Sequence, residues 1–146
     1  YVAPHFVEKE NPLGGVDGVL NGIVIHGNAV GDTVFCGPGA GALQTGSAVA
    51  ADILDCLTEP VDRQPRWEAQ PEGYFMDAEE LPSRWFVRTR ADLGQINEAF
   101  GNVRFVSIPE VDPEEYAFPT ESMTAREIAE AGRKLELLAA YRILEN

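Results

Sequence analysis

The residues whose types and spacing most suggest ligand binding are the three glycines of Gly37-Pro38-Gly39-Ala40-Gly41. They lie between an apolar run and a predicted helix. Such a loop allows close backbone approach to a ligand, and the free amides at a helix N-terminus favour an anion. The standard nucleotide motifs do not fit, because the spacing is G-x-G-x-G and no lysine follows. Local rules therefore favour a structural turn over a ligand-contacting loop, and both readings stay open.

Other candidate catalytic residues lack partners in the sequence. Thr45 and Ser47 have no plausible His–Asp partners, and a hydroxyl at a helix start is usually an N-cap. His26 ends a predicted strand beside a turn, which favours a turn-edge histidine over a general base, since a base needs a positioned partner. The two lysines, Lys9 and Lys134, do not lie in an apolar context that would lower a pKa. No complete active site is present in the sequence.

Composition excludes several classes of function. The chain has 146 residues, with 24 acidic and 11 basic side chains and a formal net charge of -13, which argues against binding to nucleic acid or anionic membranes. Cys36 and Cys56 form no metal-binding spacing with the two histidines, so we expect reduced core thiols of a cytoplasmic protein and no metal site. No apolar run approaches the roughly 20 residues of a membrane span, and no signal peptide is visible.

The first part of the chain, Tyr1 to Leu57, is rich in glycine and apolar residues. Its patterns predict a hairpin of strands 19–25 and 33–36, followed by a helix over 45–57 that Thr45 caps. Val49, Ile53 and Leu57 share one face of that helix. The proline-rich and charged stretch 58–82 follows neither the strand nor the helix period and is predicted to be a linker or a lid-like loop.

The second part, residues 83–146, alternates strand and helix signals. The capping box Thr124 to Glu127 starts its clearest helix, whose apolar face runs to Leu138. Pro119 confines its own strand to a sheet edge or a strand end. The predicted elements are strand 84–90, helix 93–100, strand 103–108, strand 116–119, the helix after Thr124 and strand 140–144. This β-α-β-β-α-β order predicts an α+β, ferredoxin-like unit.

A longer pattern surrounds the glycine loop. Its residues are Pro12, Leu13, Val16, Gly18, Asn21, Ala29, Val30, Gly31, Gly37, Gly39, Ala40, Gly41, Thr45, Ser47, Ala48, Val49 and Asp52. They fit P-L-x-x-V-x-G-x-x-N-A followed by G-D-A-V-G-x-x-x-x-x-G-x-G-A-G-x-x-P-T-A-S-A-V-x-x-D. This run resembles the closing part of the catalytic domain of homoserine dehydrogenase. It covers about a third of the chain, which makes it far more specific than a short glycine motif.

The resemblance implies NAD(P)-dependent interconversion of L-aspartate 4-semialdehyde and L-homoserine, in the route to threonine and methionine. It also implies that the Rossmann domain, the catalytic lysine, the acidic substrate-binding residues and the metal-binding segment lie upstream of this run. No catalytic or metal-binding residue is therefore expected here, and no cofactor is expected to bind this chain alone. The matching cofactor-side position is Gly41, whose backbone approaches NAD(P) in the family. Strand sharing in the family implies a homo-oligomer.

The tail resembles, in element order and position, the ACT regulatory domain that often follows in this family. Where the family usually carries a Pro-Gly turn at its effector site, this chain has Asp92-Leu93-Gly94-Gln95. We expect residues 1–57 to be the end of the catalytic and dimerisation domain, 58–82 a linker and 83–146 an ACT-like domain. The chain opens on Tyr1 like the middle of a protein, so we expect part of a longer enzyme that is inactive alone. The alternative is a stand-alone ACT-like module for amino-acid sensing or assembly.

Overall fold

The computed structural model describes residues 1–58, 69, 72–107, 112 and 114–145. Its contacts divide the chain into two compact units. We call Tyr1–Glu8 with Glu72–Asn146 the sheet unit, and Lys9–Pro71 the hairpin unit. The mixture of helices and strands confirms the α+β class. The contacts therefore join the first eight residues to the C-terminal unit, although composition placed them in the first block.

The hairpin unit has the elements that the sequence predicted, with longer bounds. A 3₁₀ turn (Pro12–Gly15) is followed by the strands β2 (Leu20–Gly27) and β3 (Gly31–Pro38) and the helix α1 (Ala42–Thr58). The two strands pair antiparallel from Leu20 opposite Pro38 to Gly27 opposite Gly31, which confirms the predicted hairpin. Helix α1 begins three residues before the predicted start, so Thr45 lies inside its first turn. The prediction that Thr45 caps the helix was wrong.

The sheet unit forms around a four-stranded sheet within the part of the chain that the structure describes. Its elements are β1 (His5–Val7), β4 (Trp85–Thr89), α2 (Leu93–Phe100), β5 (Tyr116–Pro119), α3 (Ala125–Lys134) and β6 (Leu137–Leu144). The strand order is β1-β6-β4-β5. Strand β4 pairs antiparallel with both β5 and β6, and β1 adds in parallel to the outer side of β6. Strand β5 lies at the sheet edge, as Pro119 predicted.

The core of the sheet unit lies on one face of β4. Trp85, Val87 and Thr89 alternate along the strand and are all buried, because every second side chain of a strand points to the same face. Ile96 of α2 and Ile128 of α3 belong to the same buried cluster. Burying large apolar side chains in this way contributes about 1.5–3 kcal/mol each.

The predicted strand 103–108 is not observed over residues 103–107, and residue 108 lies outside the described part of the chain. This segment does approach the open edge of β5, because the Val106 N–H donates to the Ala117 carbonyl at 2.8 Å. The Phe105 ring also contacts those of Tyr116 and Phe118. The prediction of a strand over residues 103–107 was therefore wrong, because a ladder needs repeated backbone pairing.

Two further predicted boundaries differ from the structure. Helix α3 ends at Lys134, with Leu135 as its C-cap, so Leu138 belongs to β6 rather than to the helical face. Of the predicted linker 58–82, the structure describes residues 58, 69 and 72–82. The last part of this stretch is held firmly, because the Arg142 guanidinium donates to the carbonyls of Ala78 and Leu81, each at 2.9 Å. Residues 78–82 therefore belong to the sheet unit rather than to a free linker.

Reciprocal side-chain bonds start both helices of the sheet unit. Asp92 and Gln95 form a capping box at α2, and Thr124 and Glu127 form the predicted one at α3. The Glu127 carboxylate accepts from the Thr124 amide at 2.7 Å and from the Thr124 hydroxyl at 2.9 Å. These bonds, the backbone one above all, hold the pKa of Glu127 below its ordinary value of 4.5.

We expect the capping box of α3 to make stability depend on pH in the acid range. Because the folded-state pKa of Glu127 is lowered, its contribution is fully present above the ordinary value and is lost as pH falls through the lowered value. Glu127→Gln keeps an oxygen acceptor but does not titrate, so the fall in unfolding free energy below about pH 5 should become shallower. Urea unfolding at several pH values measures this.

Glu130→Gln is the matched control, because Glu130 is exposed on the same helix and stands outside the capping box. Its pH profile should match that of the unchanged protein. Equal profiles for the Glu127 and Glu130 variants would contradict the assignment.

Candidate functional site

The glycine loop is a short connection between β3 and α1. Because β3 extends to Pro38 and α1 starts at Ala42, Gly39 to Gly41 alone make the turn. A Cβ atom on Gly39 would lie 1.5 Å from Nδ2 of Asn21, whose strand β2 pairs beside it. The Asn21 side chain therefore occupies the space that any other residue at position 39 would need. This close approach is the structural reason for the second glycine of the loop.

Gly41 immediately precedes helix α1. Its φ of +132° is one that residues with a Cβ rarely adopt, and an added Cβ would lie 2.4 Å from Oε1 of Gln44. Its carbonyl accepts from the Thr45 amide at 3.0 Å, which is the first hydrogen bond of the helix. Unlike Asp92 and Thr124 at the other two helices, Gly41 brings no side chain that could cap the first amides. The backbone here is exposed and can present N–H groups to an anion.

The structure gives His26 a partner that the sequence analysis missed. The Nδ1 atom of His26 lies 2.6 Å from Oδ1 of Asp32, because the two residues face each other across the hairpin. The register of the predicted hairpin was the signal that could have found this pair. Both side chains are more than half exposed, at 67% and 52%, so water weakens the interaction. The pair meets the geometric need of a base, but no further polar contact to it is seen among the described residues.

The hairpin unit leaves most of its large apolar side chains exposed. Every residue of α1 is exposed, including Val49, Ile53 and Leu57 on the predicted apolar face. Ile23 of β2 and Phe35 of β3 are likewise 60% and 58% exposed. Many large apolar side chains exposed in one small unit are typical of a surface that another part of a protein covers. Within its described residues, the unit buries nothing but Asn11, so it has no apolar core of its own.

The described residues contain no group of three or more His, Cys, Asp or Glu side chains that could hold a metal ion. Cys36 and Cys56 are free thiols, but both are exposed rather than in the core as predicted. Among the described residues, no helix has the length and apolarity to cross a membrane. The sequence-predicted site thus consists of Gly41 and its neighbours in the loop, with Thr45 and Ser47 in the exposed helix behind it.

Comparison with known proteins connects this loop to one family. The family model of homoserine dehydrogenase matches residues 1–54, which include the whole glycine loop. A homoserine dehydrogenase of Pseudomonas aeruginosa is 27% identical over 99% of the chain and 37% of its own length. The homoserine dehydrogenase of Neisseria gonorrhoeae is 34% identical over 65% of the chain and 25% of its own length. This chain therefore spans between a quarter and two fifths of these relatives.

Solved structures extend the likeness to the fold. A homoserine dehydrogenase from Thiobacillus denitrificans has a TM-score of 0.72 at 21% identity, over 98% of this chain and 38% of that one. A homoserine dehydrogenase of S. aureus, solved at pH 7.5, has a TM-score of 0.62 at 26% identity over 96% of this chain. Sequence and fold agree: this chain is related to the homoserine dehydrogenases and corresponds to about a third of their length.

Proposed function

We propose that this chain contributes to a homoserine dehydrogenase, which interconverts L-aspartate 4-semialdehyde and L-homoserine with NAD(P) in threonine and methionine biosynthesis. The match of residues 1–54 to the family model carries the proposal. In this proposal the hairpin unit ends the catalytic and dimerisation domain, and the rest of the enzyme supplies the Rossmann domain and the catalytic lysine. The sheet unit is its ACT-like regulatory part. The enzyme is a cytoplasmic homo-oligomer.

The exposed apolar side chains of the hairpin unit support this proposal. Helix α1 and the β2–β3 hairpin together expose Val49, Ile53, Leu57, Ile23 and Phe35. A two-stranded hairpin is marginal by itself in water, and a single helix gains most of its stability from packing. These elements therefore suit a larger domain that covers them, and the relatives are about three times as long as this chain.

Gly41 is the residue that we assign to the cofactor side of the complete site. Its positive φ and lack of a side chain leave the backbone at the start of α1 open. Free amides at a helix start suit an anionic group such as the pyrophosphate of NAD(P). The NAD(P) would supply or accept the hydride, and the Gly41 backbone would only orient the cofactor. The catalytic residues themselves are not part of this assignment.

The 146-residue chain alone should be inactive, because hydride transfer needs the nucleotide-binding part and a proton donor that this chain lacks in our proposal. Purified chain mixed with NADPH and L-aspartate 4-semialdehyde should show no loss of NADPH absorbance. The same assay on the complete enzyme, read from the upstream reading frame, is the positive control. NADPH oxidation by the 146-residue chain would contradict the proposal that the rest of the enzyme supplies the nucleotide-binding and catalytic groups.

In the complete enzyme, Gly41→Ala should raise the KM for NAD(P) about tenfold, equivalent to about 1.4 kcal/mol. The reason is that alanine is strained at a φ of +132° and its Cβ would push the Gln44 side chain from its place. Steady-state kinetics with varied cofactor measure this change.

Gly46→Ala is the matched control, because an added Cβ there meets nothing within 4 Å and lies inside the same helix. It should leave the KM for NAD(P) unchanged and stabilise α1 by about 0.5–1 kcal/mol. An unchanged KM for NAD(P) in the Gly41 variant would contradict the assignment of Gly41 to the cofactor side.

One observation favours a second candidate, an amino-acid-sensing role for the sheet unit. A cavity of about 180 Å³ lies beside α2 and the end of α3. It is lined by Gln95, Glu98, Ala99, Lys134 and Leu135. Glu98 and Lys134 offer opposite charges, which is the pairing that the ammonium and carboxylate groups of a free amino acid need. The volume is below that of pockets for drug-sized ligands, so a small solute fits best.

This candidate predicts heat on titration of the chain with threonine, methionine, isoleucine or lysine in a calorimeter. Lys134→Met should weaken the response of the amino acid that binds by about tenfold, because the carboxylate loses its charged partner. Arg133→Met, a change at the neighbouring exposed cation, should not. Absence of heat with all four amino acids would exclude the sensing role and leave the dehydrogenase proposal standing.

A further inference from the structure

The first residues of the chain lie on the outer side of β6. Strand β1 pairs with β6 in parallel over three residue pairs, from His5 opposite Arg142 to Val7 opposite Leu144. Parallel pairing is slightly weaker per residue than antiparallel pairing, and a three-residue strand is near the lower limit of strand length. Backbone pairing alone therefore holds this segment loosely, and side chains must supply the rest.

Two aromatic side chains anchor the segment, one on each face of the sheet. The Phe6 ring lies 4.8 Å from that of Phe86 and 5.7 Å from that of Tyr141. The Tyr1 ring lies 5.1 Å from the guanidinium carbon of Arg142. Tyr141 and Arg142 are consecutive residues of β6, so their side chains point to opposite faces. The segment therefore contacts β6 on both faces of the sheet.

Arg142 is fixed by groups outside that segment. Arg142 is only 4% exposed, and its guanidinium carbon lies 4.5 Å from the centre of the Trp85 ring. It donates to the carbonyls of Ala78 and Leu81 and to the hydroxyl of Ser83. The planar guanidinium is suited to stacking and forked donation together. The surface that receives Tyr1 is therefore built by the rest of the sheet unit.

We propose that residues 1–8 form a releasable strap, which docks on the β6 edge, and that Arg142 is the positioning residue that latches it. The same guanidinium holds segment 78–83. Glu8, the last residue of the strap, is joined directly to Lys9, the first residue of the hairpin unit. Release of the strap frees this connection and leaves the core of the sheet unit intact. This inference does not depend on the proposed function.

Amide hydrogen exchange on the 146-residue chain tests the strap. Tyr1→Ala and Phe6→Ala each remove one anchor. The strap amides, by which we mean those of residues 5–7 that bond to β6, should then exchange about tenfold faster through local opening. The amides of Val87 and Phe118, in the buried core, should keep their wild-type rates. Phe75→Ala is the matched control, because Phe75 is 81% exposed and belongs to the same unit. It should change neither set of rates.

Arg142→Lys tests the latch. Lysine keeps the charge but loses the flat fork, so strap amides and the backbone of segment 78–83 should both exchange faster. If only the strap amides exchanged faster, and those of segment 78–83 did not, Arg142 would not hold both segments and the proposal would be contradicted. If this variant unfolds the whole unit, the Tyr1 and Phe6 variants still decide. Strap amides that exchange only together with the core, or that are unprotected in the wild-type chain, would overturn the releasable strap.

Discussion

The constraint on which the sheet unit depends is the central position of β4. It pairs with β6 on one side and β5 on the other, so its backbone groups are satisfied on both edges. Its alternate side chains then have one buried face to fill, where Trp85 and Val87 meet the helices. Thr89 completes that face because its hydroxyl donates to the Glu136 carbonyl at 2.7 Å and accepts from the Ala91 amide at 3.0 Å. A polar side chain can be buried there because each of its roles has a partner.

The buried end of this strand also explains the position of Arg142. Arg142 faces Trp85 across the β4–β6 pair, and the flat guanidinium stacks on the indole ring. Within the described part of the chain its charge is met by carbonyl and hydroxyl oxygens rather than by a carboxylate. Such a group is costly to bury unless its donors are satisfied, so the segment around Leu81 must pass close by. One side chain thereby fixes a stretch that composition identified as a linker.

The hairpin unit differs from the sheet unit, because its turns are well formed but its described apolar side chains are not buried. Its local geometry is well determined, since Asn21 fills the space beside Gly39 and the hairpin register is regular. Most of its large apolar side chains nevertheless stay exposed, and α1 buries nothing among the described residues. Local turn chemistry can therefore be complete where the hydrophobic driving force is not. The relatives, which are about three times as long, are consistent with a domain that this unit joins.

The sequence by itself determined the elements whose signals are local: the β2–β3 hairpin, helix α2, the capping box of Thr124 and Glu127, and the glycine loop with its family pattern. Each depends on residues within a few positions of one another, so pattern and turn chemistry suffice. Only the tertiary structure decided that residues 5–7 join β6 and that residues 103–107 miss the ladder. Those outcomes depend on backbone pairing between segments that compete for the same edges, and sequence periodicity carries no information about which partner wins.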